Sequence, residues 1–274
     1  MLETIASGYG LIEGPRVDAD GNLFFSDVTN GGVYRRSPDG EIGTVVPKRR
    51  GVGGIALHAD GGLVVSGKNI CHVKDGTSRI LFQRDDIPGF NDIFTDHAGR
   101  VYAGALRSDP FKLTSQVPGE LWRIEAEGKA TEVYGNIGIT NGIGASPDGR
   151  LLYHADSAVK QVVVHDISPD GTATNRRVFA TLDEVPDGLA VDESGRVWVA
   201  VYGGGCATCF APDGTVDHRV EVPAKAVTSL CFGGQDRRDL YIVTADNTED
   251  PDRKGTIFHT RVDVPGVAVP LAMV

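Results

Sequence analysis

Two carboxylates and two carboxamides recur at matching places along this chain: Glu13 in "EGP", Asn91 in "NDI", Asn141 in "NGI" and Asp187 in "DGL", each leading into an apolar stretch. Their oxygens are hard donors. Brought together they would form a site for one divalent cation, Ca²⁺ first, with Mg²⁺, Mn²⁺ or Zn²⁺ as alternatives. Asn or Asp before Gly is also an ordinary bend, so three of the four residues have a plain local reading. Glu13 has no such reading, because Glu is a poor turn former. Two bare carboxylates gathered in a confined place would repel one another and lose hydration, a cost that a cation removes.

What would gather them is a repeat. The segments "DADGNLFFSDV", "HADGGLVVSGK", "DHAGRVYAGAL", "SPDGRLLYHAD", "DESGRVWVAVY" and "GQDRRDLYIVTAD" each join a polar turn to an apolar alternating strand. Five turns close on Gly21, Gly61, Gly99, Gly149 and Gly195, with Arg238 in the corresponding place of the sixth, and the steps run from 38 to 50 residues. That period matches a four-stranded propeller blade. Short apolar strands such as "GGIAL", "NDIFT" and "DGLAV" precede the turns, and outer strands such as "GGVYRRS" and "GELWRIE" follow. Amphipathic helical runs are absent. The expectation is all-β: one six-bladed β-propeller domain over residues 1–274, with "TIAS" near the start and "GTIFHTRVDVP" at 255–265 completing the sixth blade together. The first strand of each blade lines the central channel, so residues just before it crowd one mouth. The six are Glu13, Gly53, Asn91, Asn141, Asp187 and Thr228.

Composition narrows the partners. A formal charge of −10 and only the short basic run "PKRR" at 47–50 argue against a nucleic-acid backbone. There is no signal-like start and no apolar run long enough to span a bilayer, so a soluble, cytoplasmic protein with a small-molecule substrate and no membrane partner is expected. Cys206 and Cys209 form a C-x-x-C, but without the second pair that zinc needs or the helix start that a redox site needs; they read as small strand residues. His154 in "LLYHADS" reads as a strand histidine satisfied by its neighbours.

The segments "EGP" (13–15), "FNDIFTDHAGRVYAGAL" (90–106), "TNGIGASPDGRLLYHADS" (140–157), "PDGLAVDESGRVWVA" (186–200) and "LCFGGQDRRDLYIVTA" (230–245) resemble the regucalcin and gluconolactonase family, also called senescence marker protein-like. The resemblance spans nearly the whole chain. It implies a metal held by Glu13, Asn141 and Asp187, with Asn91 beside it contacting substrate or a water. It also implies a metal-dependent lactonase opening a sugar lactone or related cyclic ester by water attack. Asp187 would serve as ligand and general base, and Asn91 would steady the developing oxyanion. One departure stands out: some family members carry an Arg two residues before this Asn, and here that place is Gly89. Arg107 and Asp109, in the long loop 106–120, are the substrate-binding candidates in its stead, and the loop itself is a candidate lid. The alternatives are a metal-dependent phosphotriesterase or a non-hydrolytic isomerase or hydratase on the same scaffold, and a non-catalytic calcium-binding propeller module.

Overall fold

A computed structural model describes residues 1–110, 117–245 and 254–274. Six four-stranded antiparallel sheets follow one another around a ring, each built in sequence order except the last. The inner strands are Ile12–Val17, Ile55–Leu57, Gly89–Thr95, Thr140–Ala145, Val185–Val191 and Val227–Gly233, in blades 1 to 6. The chain is a six-bladed β-propeller, and among the described residues its only helices are two short 3-10 turns. No described helix is long and apolar enough to cross a membrane.

Blade 6 closes the ring with both ends of the repeat. Its outermost strand is Glu3–Tyr9, paired antiparallel with Gly255–Arg261. Each opening of the ring therefore requires breaking a sheet interior, since no blade boundary coincides with a chain end. Between blades the packing is apolar. Trp198, Phe25, Ile12, Ile55 and Leu121 are among the fully buried side chains, each worth about 1.5–3 kcal/mol relative to exposure.

The repeated turns follow from short-range chemistry. Asp18 Oδ1 accepts from the Asp20 and Asn22 amides, Asp96 Oδ1 from Ala98 and Arg100, and Asp192 Oδ1 from Ser194 and Arg196. Each turn needs one left-handed residue, supplied by Gly21, Gly61, Gly99, Gly149 and Gly195 with φ between 69° and 85°. In the sixth turn that residue is Arg237 at φ 54°, not Arg238, because this turn is built between Gly234 and Arg237 and leaves Arg238 outside it.

After blade 6 the chain does not stop at the rim. Val267 donates to Val191 O and Glu193 to Pro265 O on blade 5, whereas Ala272 donates to Leu57 O and Met273 to Gly99 O on blades 2 and 3. The segment from Val267 to Ala272 thus straps the mouth on the turn side of the ring. Beneath and around it lies a depression of about 1820 Å³ lined by Arg16, Phe94, Leu189, Phe232 and the blade turns. It contains none of Glu13, Asn91, Asn141 and Asp187, which head the inner strands at the opposite mouth.

At that opposite mouth the inner strands touch backbone to backbone. A Cβ at Gly54 would stand 2.4 Å from Ile93 N, and one at Gly142 would stand 2.3 Å from Leu189 N. Gly142→Ala is therefore expected to destabilise the fold by about 1–3 kcal/mol in urea denaturation through overpacking. Gly43→Ala, with nothing within 4 Å of the added carbon, is expected to change stability by less than about 0.5 kcal/mol. Equal effects at the two positions would contradict this account of the axis.

Candidate active site

In five blades the ladder between first and second strands is interrupted at the same level: between Glu13 and Arg16, Phe90 and Ile93, Thr140 and Ile143, Pro186 and Leu189, and Val227 and Ser229. Such bulges bend a strand and re-aim the side chains they contain. Asn91, Asn141 and Asp187 lie inside them and Glu13 at the edge of one. The sequence pattern placed these residues just before the inner strands; they fall within the strands, because pairing with the second strand begins above the bulge and resumes below it.

The amides are linked across blades. Asn91 Nδ2 donates to Asn141 Oδ1 at 3.1 Å and to Thr140 O at 2.9 Å. Asn141 Nδ2 donates to Ser157 Oγ at 3.1 Å, and Ser157 Oγ donates to Pro186 O at 2.7 Å, one residue before Asp187. Blades 3, 4 and 5 are thereby held in one polar chain. Gly53 completes the wall on the other side of Asn91: a Cβ there would lie 2.1 Å from Asn91 Oδ1.

The carboxylates have no such satisfaction. Glu13 is 8% exposed and Asp187 6%, and Asp187 Oδ1 is buried without a hydrogen-bond partner. Burial pushes the Glu13 carboxyl well above its ordinary range, the charges of Asp187 and Asp92 push it further, and the Gly14 amide and Arg16 only partly offset them. Asp187 is likewise raised by burial and then by Asp92, against smaller help from Asn141 and the Gly188 amide. Asp92 is pushed up to about 6 by burial, countered by Arg16. An orphaned carboxylate oxygen beside a second carboxylate and an amide oxygen is a donor set that fits a divalent cation with room for further oxygen ligands.

Arg107 and Asp109 follow strand Val101–Leu106, whose last residue pairs with Gly89, two residues before Asn91. The Arg107 guanidinium is engaged by both oxygens of the buried Glu120 and, at 3.0 Å, by Asp86. Asp109 is exposed. Residues 111–116 of the candidate lid lie outside the described residues.

His154 is fully buried between Tyr134 OH, 2.9 Å from Nδ1, and Thr140 Oγ1 at Nε2. Burial lowers its pKa to about 3, so it is a neutral strut for Thr140. Cys206 and Cys209 are buried and free in strand Cys206–Phe210. Cys209 does approach Asp217 and His218, but Asp217 is already bound by Arg196 at 3.1 Å. Arg49 of the basic run is built into the wall of the ring, donating to Ser66 O and to Asn69. Reading the four matched positions missed Asp92, Arg16 and Ser157. A signal for Asp92 was present: the residue after each axial position is Gly14, Gly54, Gly142, Gly188 or Ser229 in the other blades.

The family described as SMP-30/Gluconolactonase/LRE-like region matches residues 11–246. A pentonolactonase of Haloferax volcanii is 31% identical over 235 residues, covering 83% of this chain and 79% of the relative. A 6-deoxy-6-sulfogluconolactonase of Pseudomonas putida is 30% identical over 267 residues, covering 91% and 90%. Among solved structures, the calcium-binding protein regucalcin from Agrobacterium tumefaciens superposes with a TM-score of 0.87 at 22% identity, covering 99% of this chain and 97% of that one.

A carboxyl whose folded pKa exceeds its unfolded value, about 4, binds its proton more tightly when folded, so its ionisation at higher pH costs stability. In chelator, Asp187→Asn is therefore expected to raise Tm, by a margin that grows as pH rises from about 5 to about 8. A margin that stays constant or shrinks over that range would contradict the crowding of Asp187 with Glu13 and Asp92.

Proposed function

The chain belongs to the SMP-30/gluconolactonase/LRE-like family, and from that premise we propose that it is a divalent-metal-dependent lactonase that opens a sugar lactone or related cyclic ester with water. The observation that carries the metal reading is the orphaned Asp187 Oδ1 beside Glu13 at the head of the channel. Two buried acids without a cationic partner of their own are chemistry waiting for a cation. Glu13, Asn141 and Asp187 would hold the ion, and the all-oxygen donor set favours Ca²⁺ over softer metals. When bound, such an ion polarises a carbonyl and makes water a better nucleophile.

The rest of the reaction belongs to this chain's own groups. Water oxygen bonds to the lactone carbonyl carbon, the ring C–O bond breaks, and the product is the open hydroxy acid. In this reading Asp187 takes the proton from the attacking water and returns it to the departing alkoxide oxygen. Asn91, whose two Nδ2 hydrogens are taken by Thr140 O and Asn141 Oδ1, keeps its Oδ1 for contact with substrate or the attacking water and so helps to position the carbonyl. The strapped far mouth directs substrate to the near one. On the rim, contact with substrate is assigned to Arg107, whose guanidinium is steadied by Glu120 and Asp86, and to Asp109. Lactone opening is preferred to phosphotriester hydrolysis or enolate chemistry because the two curated relatives described above are lactonases.

Glu13→Gln and Asp187→Asn are each expected to lower kcat/KM for lactone opening by at least about 10³, with the β-sheet circular dichroism unchanged. Asn91→Ala is expected to lower kcat/KM by about 10² through lost positioning of the substrate. A panel of aldonolactones and simple lactones, followed by product mass for the gain of one water, reads these effects. Full activity in both carboxylate variants would contradict the site assignment.

A further inference from the structure

Five of the six residues that follow the axial positions are small: Gly14, Gly54, Gly142, Gly188 and Ser229. They must be, because neighbouring inner strands approach to contact there. Blade 3 alone departs, with Asp92. Its carboxylate is buried, and it bonds in three directions: Oδ1 accepts from Ile93 N at 2.8 Å, Oδ2 from Ile143 N of blade 4 at 3.3 Å, and Oδ1 lies 3.7 Å from Arg16 Nη2 of blade 1. Arg16 in turn donates to Pro15 O at 2.7 Å and to Ile93 O at 3.0 Å. Both side chains are nearly excluded from solvent, at 12% and 7% exposure for Arg16 and Asp92.

The pair is thus a charged layer tying blades 1, 3 and 4 within electrostatic reach of the axial acids. The Asp92 charge is felt by both Glu13 and Asp187, and the Arg16 charge by Glu13. Three carboxyls and one guanidinium are thus gathered around the axis. In a desolvated channel such charges act over several ångströms with little screening.

We propose that Asp92 and Arg16 are positioning residues that set the affinity of the axial cation in opposite directions, Asp92 strengthening it and Arg16 holding it down. This rests on the cation reading of Glu13, Asn141 and Asp187. An intermediate affinity has a use in this site, since an ion held by too strong a negative field polarises a carbonyl less. Neither residue touches the substrate in this account.

The test is calcium titration by calorimetry on metal-stripped protein at low salt and one fixed pH for all variants. Asp92→Asn is expected to weaken Kd at least about tenfold and Arg16→Met to tighten it several-fold. The double variant is expected within about threefold of wild type. Arg16→Lys keeps the charge and is expected to keep the wild-type Kd, so the contrast between Lys and Met at position 16 tests the proposal even where the Asp92 variant does not fold. A purely architectural pair would shift Kd in the same direction in both single variants, or in neither, and either result overturns the inference while leaving the cation site standing. Wild-type protein that takes up no cation overturns the cation reading and this inference together.

Discussion

Bringing Glu13 and Asp187 to the axis of the ring costs free energy twice, once for stripping each carboxylate of water and again for setting them beside each other and beside Asp92. The fold carries that cost because its geometry leaves no alternative. The inner strands meet backbone to backbone through Gly14, Gly54, Gly142 and Gly188, so whatever stands next to those glycines is forced to the axis. Bulges in five blades aim the side chains there, and the Asn91, Asn141 and Ser157 chain fixes three blades relative to one another. The same closeness that makes the ring rigid makes the acids crowded. A divalent cation held there would reconcile the two.

The two mouths of the channel are consequently different places. The turn side is crossed by the strap and ringed by turns whose Asp residues are spent on capping their own backbone amides. Its depression is large, yet it lacks the unsatisfied acids. The opposite side carries the buried axial acids, beside loops where Arg107, Glu120 and Asp86 brace one wall. Volume points to the turn side, whereas the unsatisfied Asp187 oxygen, on which the proposed site rests, lies at the other.

Much of this was legible in the sequence because propellers repeat. The 38 to 50 residue period, the turn glycines and the matched Glu13, Asn91, Asn141 and Asp187 are all local signals that a repeat makes comparable. Closure of blade 6 by Glu3–Tyr9 followed from the same count of strands. What escaped were features that depend on contacts between blades. That the Arg107 guanidinium is held by Glu120 and Asp86 is one such contact, with no sign in the sequence. The strap has no repeat to be compared with. The sixth turn misaligned by one residue because Arg237 takes a conformation that glycine marks elsewhere. Asp92 was visible in "FND" but carried no meaning until the glycines in its place proved to be packing constraints.

The most direct measurement is a stoichiometric titration of metal-stripped protein with Ca²⁺, followed simultaneously by calorimetry and by the rate of lactone opening. The account predicts one ion bound per chain, with turnover rising in proportion to the occupied fraction and reaching its plateau at the same equivalence point. Full turnover before any ion is added, or an ion bound with no effect on turnover, would contradict it.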